Sequence, residues 1–301
     1  MELTVLGCNA AIPTTTRNPS AQVLSVSGHL FLIDCGEGTQ FQLRRLHISF
    51  MRIEAVFISH MHGDHVFGLI GLLSTMSLFN RTSPLLIFGP PKLEVMINTL
   101  LDTFGESSTF SVKFHPLRFD KPEVLQDVKC VFVKSIPLRH RVETCGFYFR
   151  EQAKEPNIKK TAIYKYGLSI ADIVMVKNGH PIFDASGEQI PRAELVKEAP
   201  APKSFAYISD TAYLPSICPE ISNVSLLYHE STFLSDLSDL AAKTLHSTAK
   251  QAATIAKTAC AGKLLLGHFS SRYDNTDLFE EEARPIFPDT TAVYDGFKIV
   301  F

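Results

Sequence analysis

The chain has 301 residues, 45% hydrophobic and 20% charged, which is enough for one large domain or two ordinary ones with a substantial core. A formal net charge of −2 carries no global signature of a nucleic-acid binder, though it leaves room for a local basic patch. No run of roughly 18 apolar residues occurs, and residues 1–7 enter a strand-like pattern without a basic start or apolar leader core, so neither a membrane span nor an export signal is expected.

In chain order, strands are expected over 3–7, 21–27 and 29–34, the last ending in the turn Asp34-Cys35-Gly36-Glu37-Gly38. A short β-rich run, 55–59, leads into a histidine cluster, and 66–79, rich in Leu and Met, reads as a helix. Strand 85–88 closes at Gly89-Pro90-Pro91, and Pro91 opens a helix to Phe104. The middle is strand-rich (110–117, 128–136, 146–150), whereas 151–200 holds scattered Lys, Pro and Gly with weak periodicity. Strands at 204–209, 225–229 and 263–267 then alternate with helices at 248–260 and 276–286, and two short strands end the chain. Such alternation in both halves predicts a mixed α/β fold of two sheets covered by helices. The six cysteines (Cys8, Cys35, Cys130, Cys145, Cys218, Cys260) form no CxxC pair, the pattern of reduced thiols in a cytoplasmic protein.

The strongest chemical signal is His60-Met61-His62-Gly63-Asp64-His65, four metal-competent side chains directly after a predicted strand. Two imidazoles two residues apart can converge on one ion from a loop, leaving Asp64 and His65 to face a second. Mixed imidazole and carboxylate donors suit zinc, with manganese compatible. The run cannot complete two sites alone. His140, Asp210 and His268 each follow a predicted strand, so their loops are placed to converge on one sheet edge.

The order His-x-His-x-Asp-His followed by His, Asp and His resembles the metallo-β-lactamase superfamily, and within it the ribonuclease Z family of tRNA 3′-processing endonucleases. Phe31-Leu32-Ile33-Asp34-Cys35-Gly36-Glu37-Gly38, the loop Pro13 to Ser20 with Arg17 and Asn18, His229-Glu230-Ser231-Thr232-Phe233, His246-Ser247-Thr248-Ala249 and His268-Phe269-Ser270-Ser271-Arg272-Tyr273 carry the narrower likeness. It spans nearly the whole chain apart from 151–200. It implies a four-layer αββα sandwich over 1–301 with a flexible tRNA-binding arm inserted at 151–195. It implies two divalent metals, one held by His60, His62 and His140, the other by Asp64, His65 and His268, with Asp210 bridging. Asp34 is then a partner that orients a ligand histidine, or else caps its own turn. Precursor tRNA is the implied substrate and a homodimer the implied assembly.

Hydrolysis of a phosphodiester needs an attacking water, neutralised phosphoryl charge and a proton for the departing oxygen. The resemblance gives Asp64 the water's proton and makes His246, oriented by Glu230, the general acid. Arg17, Asn18 and Arg272 are candidates for RNA contact, each with a structural alternative as a loop or salt-bridge residue. From Arg150 to Lys177 six basic residues, including Lys154, Lys159, Lys160 and Lys165, face three acids, which suits a phosphate-backbone clamp. A β-hairpin with solvated lysines is the alternative for this segment, and packing is the role expected of Tyr164 and Tyr166. Two departures from the family pattern stand out: Thr14-Thr15-Thr16 holds no basic residue, and the arm lacks the Gly-Pro dipeptide. A small-molecule phosphodiesterase shares the same ligands as a second reading. A non-catalytic RNA-binding subunit is disfavoured because all seven ligand positions are filled.

Overall fold

The computed structural model describes residues 1–104 and 109–301. Among these residues, two seven-stranded sheets stack face to face with helices on their outer sides. The first sheet contains β1 (Glu2–Gly7), β2 (Ala21–Val26), β3 (His29–Cys35), β4 (Ile53–Phe57), β5 (Leu85–Gly89), β6 (Val112–Pro116) and β16 (Lys298–Val300), ordered 16-1-2-3-4-5-6. The second contains β7 (Glu123–Leu125), β8 (Val131–Pro137), β9 (Cys145–Glu151), β12 (Ser204–Ile208), β13 (Leu226–Glu230), β14 (Leu264–Gly267) and β15 (Thr290–Ala292), ordered 15-14-13-12-9-8-7. In each sheet four consecutive strands are parallel, β3 to β6 and β12 to β15. Their unbroken apolar runs, such as Leu264-Leu265-Leu266, follow from burial on both faces.

Aromatic rings fill the space between the sheets. Phe57 stacks on Phe88 at 4.9 Å and meets Phe147 and Phe149 edge-on at 5.4 and 5.2 Å. Outside the first sheet lie α1 (Thr39–Arg45), α2 (Gly63–Val66), α3 (Gly68–Leu78) and α4 (Pro91–Phe104), burying Leu43, Leu69, Leu72, Met76, Leu93 and Ile97. With the second sheet come α8 (Ser238–Thr244), α9 (Ala249–Thr258) and α10 (Asp277–Ala283). On α9 the buried Ala249, Ala252, Ala253 and Ala256 form one helical stripe. Thr248 and Gln251 close its start with a reciprocal capping box.

The helix expected over 66–79 starts earlier and is split at Phe67 into α2 and α3, which puts Asp64 and His65 on a first helical turn. Helices α1 and α8 and strand β7 are short elements that periodicity did not signal.

Residues Gln152–Pro202 form a separate compact unit. It is helical rather than a β-hairpin: α5 (Lys160–Tyr166), α6 (Ile170–Lys177) and α7 (Arg192–Leu195), with a two-stranded pairing of β10 (Asn157–Ile158) and β11 (Val196–Lys197). Its own small core joins Ala162, Val176, Ile182, Ile190, Leu195 and Val196. The weak periodicity has a physical origin, since α5 buries only Ala162 and α6 only Val176. Gly167, at φ +61°, ends α5, and a Ser169–Asp172 capping box starts α6.

Where β3 meets α3, two glycines let backbones touch. A Cβ on Gly68 would lie 2.1 Å from the Gly36 carbonyl oxygen, and one on Gly36 would lie 2.4 Å from the Asp64 carbonyl. Gly68→Ala is therefore expected to cost about 1–3 kcal/mol, read as a lowered urea midpoint. An unchanged midpoint would show that this junction yields freely.

Candidate active site

The loops that follow β4, β8, β12 and β14 converge at one edge of the sandwich. His60 and His62 come from the first, His140 from the second, Asp210 from the third and His268 from the fourth, while α2 supplies Asp64 and His65. They fall into two donor sets, His60/His62/His140/Asp210 and Asp64/His65/His268.

In the first set, His62 Nδ1 lies 3.0 Å from His60 Nε2 and 3.3 Å from His140 Nε2. Asp210 Oδ2 is 3.6 Å from His60 Nε2 and 3.8 Å from His140 Nε2. In the second set, His65 Nε2 lies 3.3 Å from His268 Nε2, and Asp64 Oδ2 is 3.5 Å from each. Asp210 Oδ1 adds a donor at 3.4 Å from His65 and 3.1 Å from His268. Donors arranged tetrahedrally around zinc at its usual bond lengths sit about 3.3 Å apart. Asp210 thus turns one oxygen to each set, and its buried Oδ1 has no hydrogen-bond partner. A buried carboxylate oxygen facing two imidazole nitrogens outside hydrogen-bond geometry fits a bridging metal ligand.

Neighbouring groups fix four of the five imidazoles. His65 Nδ1 donates to Asp34 Oδ2 at 2.7 Å, His140 Nδ1 to the Leu245 carbonyl at 2.9 Å, and His268 Nδ1 to Thr232 Oγ1 at 2.9 Å. His60 Nδ1 donates to Ser59 Oγ at 2.9 Å, whose own proton goes to Asp34 Oδ2 at 2.9 Å. Every Nε2 named here is therefore left facing the centre. Asp34 is fully buried and also accepts from Tyr207 on β12 at 2.6 Å, so one carboxylate ties the two sheets to two ligand histidines. Asp34, Leu245 and His268 all adopt left-handed φ, at 53°, 60° and 59°, a backbone state that non-glycine residues hold only where the surroundings enforce it.

Electrostatics divides the histidines. Burial, reinforced by neighbouring imidazoles, holds His60 well below its ordinary pKa, and burial also lowers His62 and His140. For His65 burial acts the same way, but Asp64, Asp210 and Asp34 outweigh it and lift the pKa to about 10. Asp64 is held far below the carboxylate range, because His65, His268 and the Ala11 amide, 2.7 Å away, overcome its burial.

Beside the donors, Glu230 is fully buried and saturated. Its Oε1 accepts from the Thr211 and Ser247 amides and from His246 Nδ1, each at 3.0 Å. Its Oε2 accepts from the Thr232 amide at 2.9 Å and hydroxyl at 2.8 Å. Burial disfavours both charges, yet their mutual attraction prevails, lowering the Glu230 pKa and raising that of His246. His246, 16% exposed, lines with the donors a cavity of about 760 Å³ that also touches Phe67, Arg141 and Arg272.

Sequence reasoning missed Thr232, whose hydroxyl links Glu230, His246 and His268. It sits inside the quoted His229–Phe233 motif, but a threonine carries no signal of its own there. For two RNA-contact candidates the contacts are those of the alternative reading, a loop residue. Arg17 is buried, with a guanidinium nitrogen donating to the Tyr273 carbonyl at 2.7 Å, and the Asn18 amide binds Asp295 at 2.8 Å, so both pin the loop. Arg272 is exposed on the cavity wall. In the inserted unit Lys154 and Lys160 are exposed, whereas Lys159 donates to the Ala193 carbonyl and Lys165 pairs with Glu194 at 2.8 Å. Tyr164, expected to pack, is 87% exposed, while Tyr166 bonds Glu194.

Residues 1–154 match the family model described as Anti-Pycsar protein Apyc1. That stretch holds His60, His62, Asp64, His65 and His140 but neither Asp210, His268 nor the Glu230–His246 pair. Ribonuclease Z of Parabacteroides distasonis is 40% identical over 298 residues, 99% of this chain and 98% of that protein. Ribonuclease Z of Cytophaga hutchinsonii is 44% identical over 299 residues, covering 98% and 94%. Human tRNase Z, short form, superposes with a TM-score of 0.73 at 27% identity, covering 100% of this chain and 99% of that one. The metallo-β-lactamase fold protein YhfI from Bacillus subtilis shares the fold, with a TM-score of 0.69 at 20% identity, covering 99% and 98%.

Because a ligand imidazole must be neutral and His65 is protonated at pH 7, metal uptake must displace its proton. Zinc titrated into the metal-free protein at pH 7 is expected to release about one proton from this residue. Calorimetry in two buffers of different ionisation enthalpy reads that release, and identical heats would refute it.

Proposed function

Since the chain belongs to the ribonuclease Z family, and its residues 1–154 also to the family of Apyc1, we propose that it cuts precursor tRNA just 3′ of the discriminator nucleotide. It is an endoribonuclease acting at precursor tRNA 3′ ends. Cleavage leaves a 3′-hydroxyl on the tRNA and a 5′-phosphate on the trailer. The observation that carries this reading is the full-length likeness to ribonuclease Z, and the Glu230–His246 pair beside the two donor sets supports it.

Two divalent ions, zinc by the chemistry of the donors, would be held by His60, His62, His140 and Asp210 and by Asp64, His65, His268 and Asp210. Bound there they would supply Lewis acidity, neutralising phosphoryl charge and easing deprotonation of the attacking water. Asp64, held ionised, receives that water's proton. His246 directs Nδ1–H at Glu230, so the proton for the departing ribose 3′-oxygen sits on Nε2. Glu230 keeps that imidazole charged and oriented. Arg272 on the cavity wall meets phosphate, and Lys154 and Lys160 on the inserted unit grip the tRNA backbone. A homodimer is supported by exposed Phe41 on α1 and by Phe67 and Phe79 at the two ends of α3. Free cysteines support the cytoplasm as its compartment, and among the described residues no helix is long and apolar enough to cross a membrane.

His246→Asn is expected to lower kcat about 10²–10⁴-fold on precursor tRNA. Catalysis needs protonated His246, so activity is lost as pH rises through its raised pKa. Glu230→Gln removes the group that raises it, so the alkaline limb of the pH–rate profile should move to lower pH. An unmoved limb would reject the general-acid assignment.

The Glu151 amide bonds the Lys203 carbonyl at 2.9 Å, so Gln152–Pro202 can be replaced by a short linker without breaking a strand. This variant should lose cleavage of precursor tRNA while still hydrolysing bis(p-nitrophenyl) phosphate. Retained tRNA cleavage, or equal loss on both substrates, would reject the unit as the tRNA grip.

A further inference from the structure

At the other end of the same strands lies a second cluster of reactive side chains. His29 begins β3, Glu54 is the second residue of β4, and Cys130 immediately precedes β8. Cys130 Sγ is 3.2 Å from His29 Nε2, and His29 Nδ1 is 2.7 Å from Glu54 Oε1. Nδ1–H donates to the carboxylate, which leaves Nε2 to accept the thiol proton. A nucleophile, a base within hydrogen-bond reach and a third group orienting the base make up the arrangement of an activated nucleophile. Cys130 holds φ at 64° and is partly exposed. His29 and Glu54 line a cavity of about 650 Å³ whose wall also carries Arg52, Arg81, Lys113 and Lys129 against Asp127. Among the described residues neither Arg52, Lys113 nor Lys129 forms an ion pair with a carboxylate. Four cations against Glu54 and Asp127 make the cavity attractive to anions.

We propose that Cys130, His29 and Glu54 form a thiol-exchange site for small anionic disulfides. The Sγ proton passes to His29 Nε2 as Sγ attacks one sulfur of the disulfide. The S–S bond of the reagent breaks, a Cys130 mixed disulfide forms, and the departing thiolate carries away the electron pair and takes the proton back from His29. No oxidant beyond the disulfide is required, and a small thiol reverses the step.

The other thiols provide internal references. Cys8, Cys35, Cys145 and Cys218 are buried, and burial raises the pKa of each, whereas Cys260 is exposed without a His–carboxylate pair. The full-length protein is treated with substoichiometric 5,5′-dithiobis(2-nitrobenzoate) at pH 7, and each thiol is followed by peptide mass spectrometry. Cys130 should react at least about tenfold faster than Cys260, and His29→Gln should remove that advantage while precursor tRNA cleavage persists and reports an intact fold. Glu54→Gln should reduce the advantage in part. The preference should shrink with uncharged 2,2′-dithiodipyridine. Cys130 reacting no faster than Cys260, or equally fast in an active His29→Gln variant, overturns the site, and an equal preference for the uncharged reagent overturns its anionic class.

Discussion

Five imidazoles and two carboxylates converge on two points in a mostly buried cluster, and that convergence is the constraint on which the molecule is built. Donor atoms 3.0–3.8 Å apart, with only the His65 proton among them, repel one another unless cations lie between them. Hydrogen bonds on the far side of four of the five rings hold them there, and those bonds come from both sheets. Asp34 joins β3 to Tyr207 of β12 and to the 59–65 loop, and the Leu245 carbonyl sets His140. The aromatic layer beneath keeps the two sheets in register under this load.

The legible part of the site was the part contiguous in sequence. His60 to His65 declares metal chemistry because residue type and spacing alone bring four donors to one loop. His140, Asp210 and His268 are single residues at strand ends, so chain order and family likeness were needed to join them with that run. Arg17 was open to two readings, RNA contact or loop residue, because only the fold brings the Tyr273 carbonyl, distant in sequence, to its guanidinium. Strands were readable within a few residues because both faces of the parallel strands are apolar. The 151–200 region was not, since helices of seven or eight residues burying one side chain each leave almost no periodic trace.

The division of labour along the chain explains how the comparisons differ. Residues 1–154, where the Apyc1 model matches, carry most of the metal donors, a chemistry that serves many phosphate esters. The Glu230–Thr232–His246 network and all but the first three residues of the Gln152–Pro202 unit lie beyond that stretch. Within residues 203–301, Thr232 matters most for coherence. Its single hydroxyl proton goes to Glu230, which obliges it to accept from His268, so the acid pair and the metal donors cannot reorient independently.

Three strands have chemistry at both ends: His29 and Asp34 on β3, Glu54 and His60 on and after β4, Cys130 and His140 before and after β8. At about 3.3 Å per residue the five steps from His29 to Asp34 span roughly 17 Å. A unit charge gained or lost at one end then reaches the other as about 1 kcal/mol at an effective dielectric near 20, and as less in salt. The strands are stiff rulers but poor conductors. The far end can be derivatised while the metal donors keep their potential, so the protein has two addressable poles on a single scaffold.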